Sequence, residues 1–423
     1  MEIYVVKNGD TAEDIARQFK IPLFLLRAVN NLDMISGLVS GMALLIVKPT
    51  RYHTVKANET LFSIAGEYGK TENEIYRNNP QLAAQPVLYP GQTIVVEYED
   101  VPVKKIKTNG YAYPYINQQI LDNSLPYMSC FTPFTYGIRE DGRLILLDDE
   151  KLIQRAYNYG SLPFMHLSTL TEDGGFSNQL ADRVLRDMTV QNTLIDDILK
   201  TVSQKDYRGL DVDFEFVYPE DSLLYGDFLG RLREILGKEG LYVVSALAPK
   251  TSDDQKGLLY EGHNYQKIGD NTDGVLLMTY EWGYTYGPEM AVAPIRSVEN
   301  VVDYALEKIP PEKILLGIPN YGYDFALPYV KGESKARSIS NVEALEIAIR
   351  NGAEVSFDEY SASPYFSYKD QTGKEHEVWF EDVRSIKQKL DLIARKNLAG
   401  AGYWNLMRPF QQNWSLLNAM FTL

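Results

Sequence analysis

Between residues 108 and 423, short apolar runs alternate with longer stretches whose apolar residues recur at helical spacing. The runs fall at 108–116, 127–134, 162–167, 209–217, 242–248, 274–279, 313–318 and 400–404. Helical patterns lie between several of them, at 178–201, 222–238 and 297–308. Apolar runs this short, rich in β-branched and aromatic residues, suit parallel strands buried on both faces. Eight such strands alternating with helices predict an α/β fold, a (β/α)8 TIM barrel, with its chemistry at the C-terminal strand ends. The gap between the seventh and eighth strands is too long for a single helix. It reads as a helix at 340–351 and strands at 354–357, 365–369 and 377–380, the last two separated by a Lys369-Asp370-Gln371-Thr372-Gly373 turn. A small inserted α+β subdomain at about 325–382, forming one wall of a cleft, is the expectation.

The first hundred residues have a different pattern, and it occurs twice. An offset of 49 places Thr11 on Thr60, Ile15-Ala16 on Ile64-Ala65 and Asn30 on Asn79; an offset of 50 places Gly41 on Gly91. Each unit reads as strand, helix, helix, strand, a small βααβ module. Asp10-Thr11 and Glu59-Thr60 stand where helices take N-terminal caps and favourable negative charge. The predicted modules are 1–49 and 51–98, followed by a charged linker at 99–107 and the barrel at 108–423. Units this small hold few buried residues.

Residues 208–217 read Arg-Gly-Leu-Asp-Val-Asp-Phe-Glu-Phe-Val. On a strand, side chains alternate between faces, so Asp211, Asp213 and Glu215 share one side at roughly 7 Å per two-residue step. Like charges on one face repel, and desolvating them costs more, so selection for folding alone disfavours the arrangement. A solvated acidic edge strand is the alternative, but the intervening Val212, Phe214 and Phe216 suit a buried strand ending at a site.

Charge and composition narrow the partners. A net charge of −15 argues against nucleic acid or an anionic membrane, and no apolar run approaches the length of a bilayer span. Cys130 is the lone cysteine, and His53, His166, His263 and His376 lack ligand spacing, so neither a metal nor another cofactor is expected. The 30 Tyr suit stacking on sugar rings as well as core packing. Residues 1–6 lack the basic and apolar regions of a secretory signal, which predicts export by another route or retention in the cell that makes the protein.

The paired N-terminal units resemble LysM modules, through Gly9-Asp10-Thr11, Asn30 and Gly41 in the first and Glu59-Thr60-Leu61, Asn78-Asn79-Pro80 and Pro90-Gly91-Gln92 in the second. The resemblance implies non-catalytic binding to N-acetylglucosamine-containing glycans such as peptidoglycan or chitin. The acidic run resembles the D-x-x-D-x-D-x-E signature of family 18 glycoside hydrolases, with Arg208 in place of the first Asp. Met278-Thr279-Tyr280-Glu281 is similar to the sixth-strand pattern of that family, and Trp404 to its eighth-strand tryptophan.

Membership implies retaining, substrate-assisted hydrolysis. Glu215 is then general acid and base, Asp213 orients the acetamido group, and Asp211 shares a proton with Asp213. Tyr280 donates to the acetamido oxygen and Trp404 floors the sugar site. Glu281, Met278, Tyr321 and Trp282 are further substrate-binding candidates. With two LysM modules and no signal, the chain resembles the spore-cortex N-acetylglucosaminidases of endospore-forming bacteria, which implies synthesis in the mother cell and placement in the spore; a monomer is the separate expectation. A chitinase, or a glycan-binding spore-coat protein with an inactive barrel, is the alternative.

Overall fold

The computed structural model describes residues 1–83 and 87–423. Its centre is a closed barrel of eight parallel strands: β1 (Lys107–Ala112), β2 (Cys130–Pro133), β3 (Leu162–Ser168), β4 (Gly209–Asp213), β5 (Tyr242–Leu247), β6 (Gly274–Leu277), β7 (Ile314–Pro319) and β8 (Gly400–Trp404). They follow one another around the barrel in chain order, and β8 closes on β1. All eight predicted strands are present. The helix expected at 178–201 is two, Asn178–Arg186 and Met188–Gln204. Asp187 divides them, because its side chain accepts from the Thr189 and Val190 amides and so starts a new helix. β4 stops at Asp213, four residues short of the predicted end.

The insertion is a five-stranded antiparallel sheet with the helix Asn341–Asn351 packed against it. Its first strand is Gly322–Ala326, so the sheet begins a few residues before the expected boundary. The predicted turn closes the hairpin of Ser363–Lys369 and Glu375–Trp379, where the Asp370 carboxylate accepts from the amides of Thr372 and Lys374.

Each N-terminal unit pairs its two strands antiparallel, Glu2–Val5 with Ala43–Ile46 and Pro49–Thr54 with Thr93–Tyr98. Thr11 and Thr60 cap the first helix of each. The repeated asparagine has one job in both. Asn30 bonds the Leu26 carbonyl and both backbone groups of Leu45, and Asn79 does the same with Ile75 and Val95. One buried amide thereby ties the second helix to the closing strand.

Neither unit hangs on a tether. Lys104–Lys105 pair with Phe421–Thr422 at the C-terminus. Val6, Leu26 and Leu44 of the first unit share one apolar cluster with Ile339, Leu345 and Phe366 of the insertion. Gln412 donates to Asn30 Oδ1 (2.9 Å), and the Val355 amide donates to the Ser40 carbonyl (2.9 Å). Gly41, at φ +82°, approaches so closely that a Cβ would lie 1.8 Å from the Val355 oxygen. The second unit is held by Arg77, whose guanidinium donates to the Pro126 carbonyl (3.0 Å), and by Tyr127, which donates to the Arg77 carbonyl (3.1 Å). Modules too small for much core of their own have extended it into the barrel and its insertion. Among the described residues, no helix is long and apolar enough to cross a membrane.

Candidate active site

At the C-terminal end of β4 the acidic residues climb out of the barrel. Asp211 is fully buried and accepts from the Tyr111 hydroxyl of β1 at 2.6 Å. Asp213 is the last strand residue, with His166 Nε2 of β3 3.7 Å from its Oδ2. Burial pushes His166 down to about 3, so it is a neutral imidazole, and its Nδ1 lies 2.6 Å from Thr135 Oγ1. Asp211 Oδ1 and Asp213 Oδ1 are both buried without a hydrogen-bond partner.

Glu215 lies beyond the strand, on a segment held by its neighbours. Phe214 is buried and stacks on Tyr225, with ring centroids 5.5 Å apart and planes 5° from parallel. The Ala248 amide donates to His263 Nδ1 (3.0 Å), which places the imidazole proton on Nε2, and that group donates to the Phe214 carbonyl (3.1 Å). His263 therefore links the end of β5 to the residue next to Glu215. His263→Leu strands both backbone groups in the interior, and a stability loss of about 2–4 kcal/mol is expected in calorimetric unfolding.

Burial raises every carboxyl here. Asp211 is pushed up to about 6 against the hydrogen bond from Tyr111. Asp213 is held well above its ordinary value by burial and then by the charges of Glu215 and Asp211. Glu215 is raised by burial and then by Glu281. Asp213 feels Glu215 and Asp211, and Glu215 feels Glu281, so these carboxyls titrate as one interacting set rather than as independent acids.

Glu281 follows β6, in the left-handed region at φ +67°. It accepts from the Tyr321 hydroxyl and from Tyr323 at 3.0 and 3.1 Å. Burial raises its carboxyl while the two tyrosines oppose the shift. Tyr280 sits close enough to feel all four carboxyls. Its ring is placed by Gly317 of β7, where a Cβ would stand 2.9 Å from the ring and 2.2 Å from the Leu277 oxygen. Met278 is half-buried, with its amide bonded to the Leu247 carbonyl. Trp404 ends β8 and meets Phe134 edge-on at 4.8 Å, with Tyr111 and Tyr113 at 5.9 and 6.2 Å.

Tyr280, Trp404, Tyr321 and Tyr323 belong to one aromatic cluster, whereas Trp282 packs against the main barrel core. The structure thus brings together Asp211, Asp213, Glu215, Tyr280, Glu281, Tyr321 and Trp404, whereas no side-chain contact ties Met278 or Trp282 to them among the described residues. Arg208, where the signature has an acid, sends no charge into the barrel: its half-exposed side chain pairs with Asp206 at 3.1 Å. A pocket of about 300 Å3 opens beside Trp404, lined by Tyr113, Tyr115, Glu281, Tyr321, Met407 and Arg408 among others. The neighbours that sequence reasoning passed over are Tyr111, Tyr113, Tyr115, His166, His263 and Arg408. Only the alternating tyrosines after β1 carried a signal, since alternate aromatics leaving a strand end face one side.

A closed parallel barrel with buried carboxyls rising to an aromatic-lined pocket at its C-terminal rim is the frame of a glycosidase. The chain belongs to glycosyl hydrolase family 18: residues 166–408 match Glycosyl hydrolases family 18, and residues 4–47 and 53–97 each match the LysM domain. It is 37% identical to the cortical fragment-lytic enzyme of Bacillus subtilis over 431 aligned positions, covering 100% of this chain and 99% of that one. The crystal structure of the Bacillus megaterium spore cortex-lytic enzyme SleL superposes with a TM-score of 0.84 at 36% identity, covering 99% of this chain and 98% of that one. SleL of Bacillus cereus gives the same TM-score at 32% identity, covering 100% and 98%.

Proposed function

We propose that the protein hydrolyses N-acetylglucosaminyl linkages of peptidoglycan with retention of configuration, acting on spore-cortex fragments during germination. One observation carries the reading: three carboxyls step from the barrel interior to Glu215 beside an open aromatic pocket, and the two inner ones each leave a buried oxygen unpartnered. We read the pair as sharing one proton, Asp211 acting on Asp213 through its charge. Full-length similarity to proteins named cortical fragment-lytic and spore cortex-lytic supports the substrate and a place in the spore.

Glu215, its carboxyl raised by burial and by Glu281, gives its proton to the leaving glycosidic oxygen as that bond breaks. The acetamido oxygen of the substrate forms the new bond to the anomeric carbon, giving an oxazolinium ion, the substrate-assisted route of this family. Glu215, now a carboxylate, takes a proton from water, which attacks the anomeric carbon and reopens the ring. Asp213 accepts from the acetamido N–H and offsets the positive charge of the ion, while Asp211 sets how much proton Asp213 holds. Tyr280 donates to the acetamido oxygen, Trp404 supports the sugar face, and Glu281, Tyr321 and Met278 border the sugar. Trp282, half-buried against the barrel core, is given no contact.

The LysM pair holds glycan. Because both units are fixed to the barrel, binding places the cleft and its polymer in one frame, and a monomer suffices. Mass spectrometry of products from purified cortex tests the reading. Fragments ending in reducing N-acetylglucosamine are expected, and fragments ending in reducing muramic acid refute it.

A further inference from the structure

Arg408 is the charged group in the pocket that the mechanism does not use. It lines the cavity beside Trp404, Tyr113 and Tyr115. Its Nη1 donates to Ser338 Oγ at 3.0 Å and to the Ile339 carbonyl at 2.5 Å, both neutral. Among the described residues no carboxylate pairs with it, although the chain carries 57 acidic residues against 42 basic ones and the pocket itself contains Glu281. The acid whose charge reaches it, Glu343, is already paired with Arg337, and Glu281 in the pocket is engaged by Tyr321 and Tyr323. Half-burial lowers the basicity of Arg408, the cost of holding an uncompensated charge away from water. The other guanidinium nitrogens have no hydrogen-bond partner among the described residues, and the cavity that Arg408 lines is otherwise mostly aromatic, with Glu281, Ser338, Asn405 and Met407.

A chain of N-acetylglucosamine alone is neutral and has no use for such a group. In peptidoglycan, alternate sugars are muramic residues bearing a 3-O-lactyl group that ends in a carboxylate or in a peptide with carboxylates of its own. If Trp404 floors the N-acetylglucosamine at the point of cleavage, the next sugar along the strand is muramic. A planar guanidinium fork held at its rear and free at its front is the group that matches a carboxylate. Resting on the N-acetylglucosaminidase reading of this site, we propose that Arg408 selects muramic glycans over chitin by binding a carboxylate carried on the lactyl arm of the neighbouring muramic sugar.

Calorimetric titration of the Glu215→Gln protein, whose turnover is slowed by about 10²–10⁴-fold, tests this with and without Arg408→Gln. The ligands are a chitotetraose, an N-acetylglucosaminyl-muramic tetrasaccharide with free lactyl carboxylates, its methyl ester, and the peptide-bearing form. Loss of one charge-assisted hydrogen-bonded contact is expected to cut the preference for the anionic tetrasaccharide over chitotetraose by roughly 10- to 100-fold. Salt erodes that preference only while Arg408 is present, and Arg408→Lys restores part of it.

Binding that survives esterification but not peptide removal assigns the peptide carboxylate as the partner; the reverse assigns the lactyl group. Equal losses on the neutral and anionic glycans, or no loss on either, overturn the proposal. If intact enzyme releases no reducing N-acetylglucosamine from cortex, the cleavage reading falls, while this ratio of affinities still decides the role of Arg408.

Discussion

Glu215→Gln lowers kcat on peptidoglycan fragments by about 10²–10⁴-fold, the span that general acid–base catalysis supplies, with KM changed far less. The amide keeps the volume and hydrogen-bonding reach of the carboxyl but has no proton to give the leaving oxygen and cannot take one from water. The pH profile separates this cause from a loss of shape. In the parent enzyme the alkaline limb follows loss of the Glu215 proton, at a pH raised by burial and by Glu281. In the variant no such group titrates, so that limb disappears from the residual rate. Steady-state kinetics from pH 4 to 9 read both effects. Activity within tenfold of the parent, or an unmoved alkaline limb, would assign the proton transfer elsewhere, with Glu281 the next carboxyl in the cleft.

The barrel was legible in the sequence because each strand is a short apolar run bounded by turn residues, and the insertion because its gap is too long for one helix. The end of β4 was not. Val212, Phe214 and Phe216 continue a strand pattern, yet the chain leaves the barrel at Asp213, since Phe214 is taken by Tyr225 and its carbonyl by His263. His263 is 49 residues from its partner, and no spacing rule connects them. The same reason hid the fixed mounting of the N-terminal units. Asn30 was visible as a repeated position, but its third partner, Gln412, lies 382 residues away. The carboxyls of the site were legible because alternation on a strand is local. Their raised pKa values were not, since burial and the approach of Glu281 depend on the closed barrel.

Asp213→Asn separates function from stability at the same position. Asparagine cannot become anionic as the oxazolinium ion forms, and kcat is expected to fall by about 10²–10³-fold, as for loss of one preorganised electrostatic group. Stability moves the other way. Burial, with the charges of Glu215 and Asp211, holds the Asp213 carboxyl well above its ordinary value, so the folded chain keeps a proton that the unfolded chain releases. The stabilisation from that proton is complete below the unfolded value and is lost as the pH rises through the folded one. Asparagine is neutral at every pH and escapes the loss. The variant and parent therefore melt together near pH 4, and the variant melts higher by a margin that grows toward pH 8. A Tm below the parent at pH 8 would mean that the carboxylate is stabilised by contacts that outweigh its burial. Full activity would remove Asp213 from the reaction altogether. A loss of rate with a gain in Tm is what a group retained for chemistry against the interest of the fold must give.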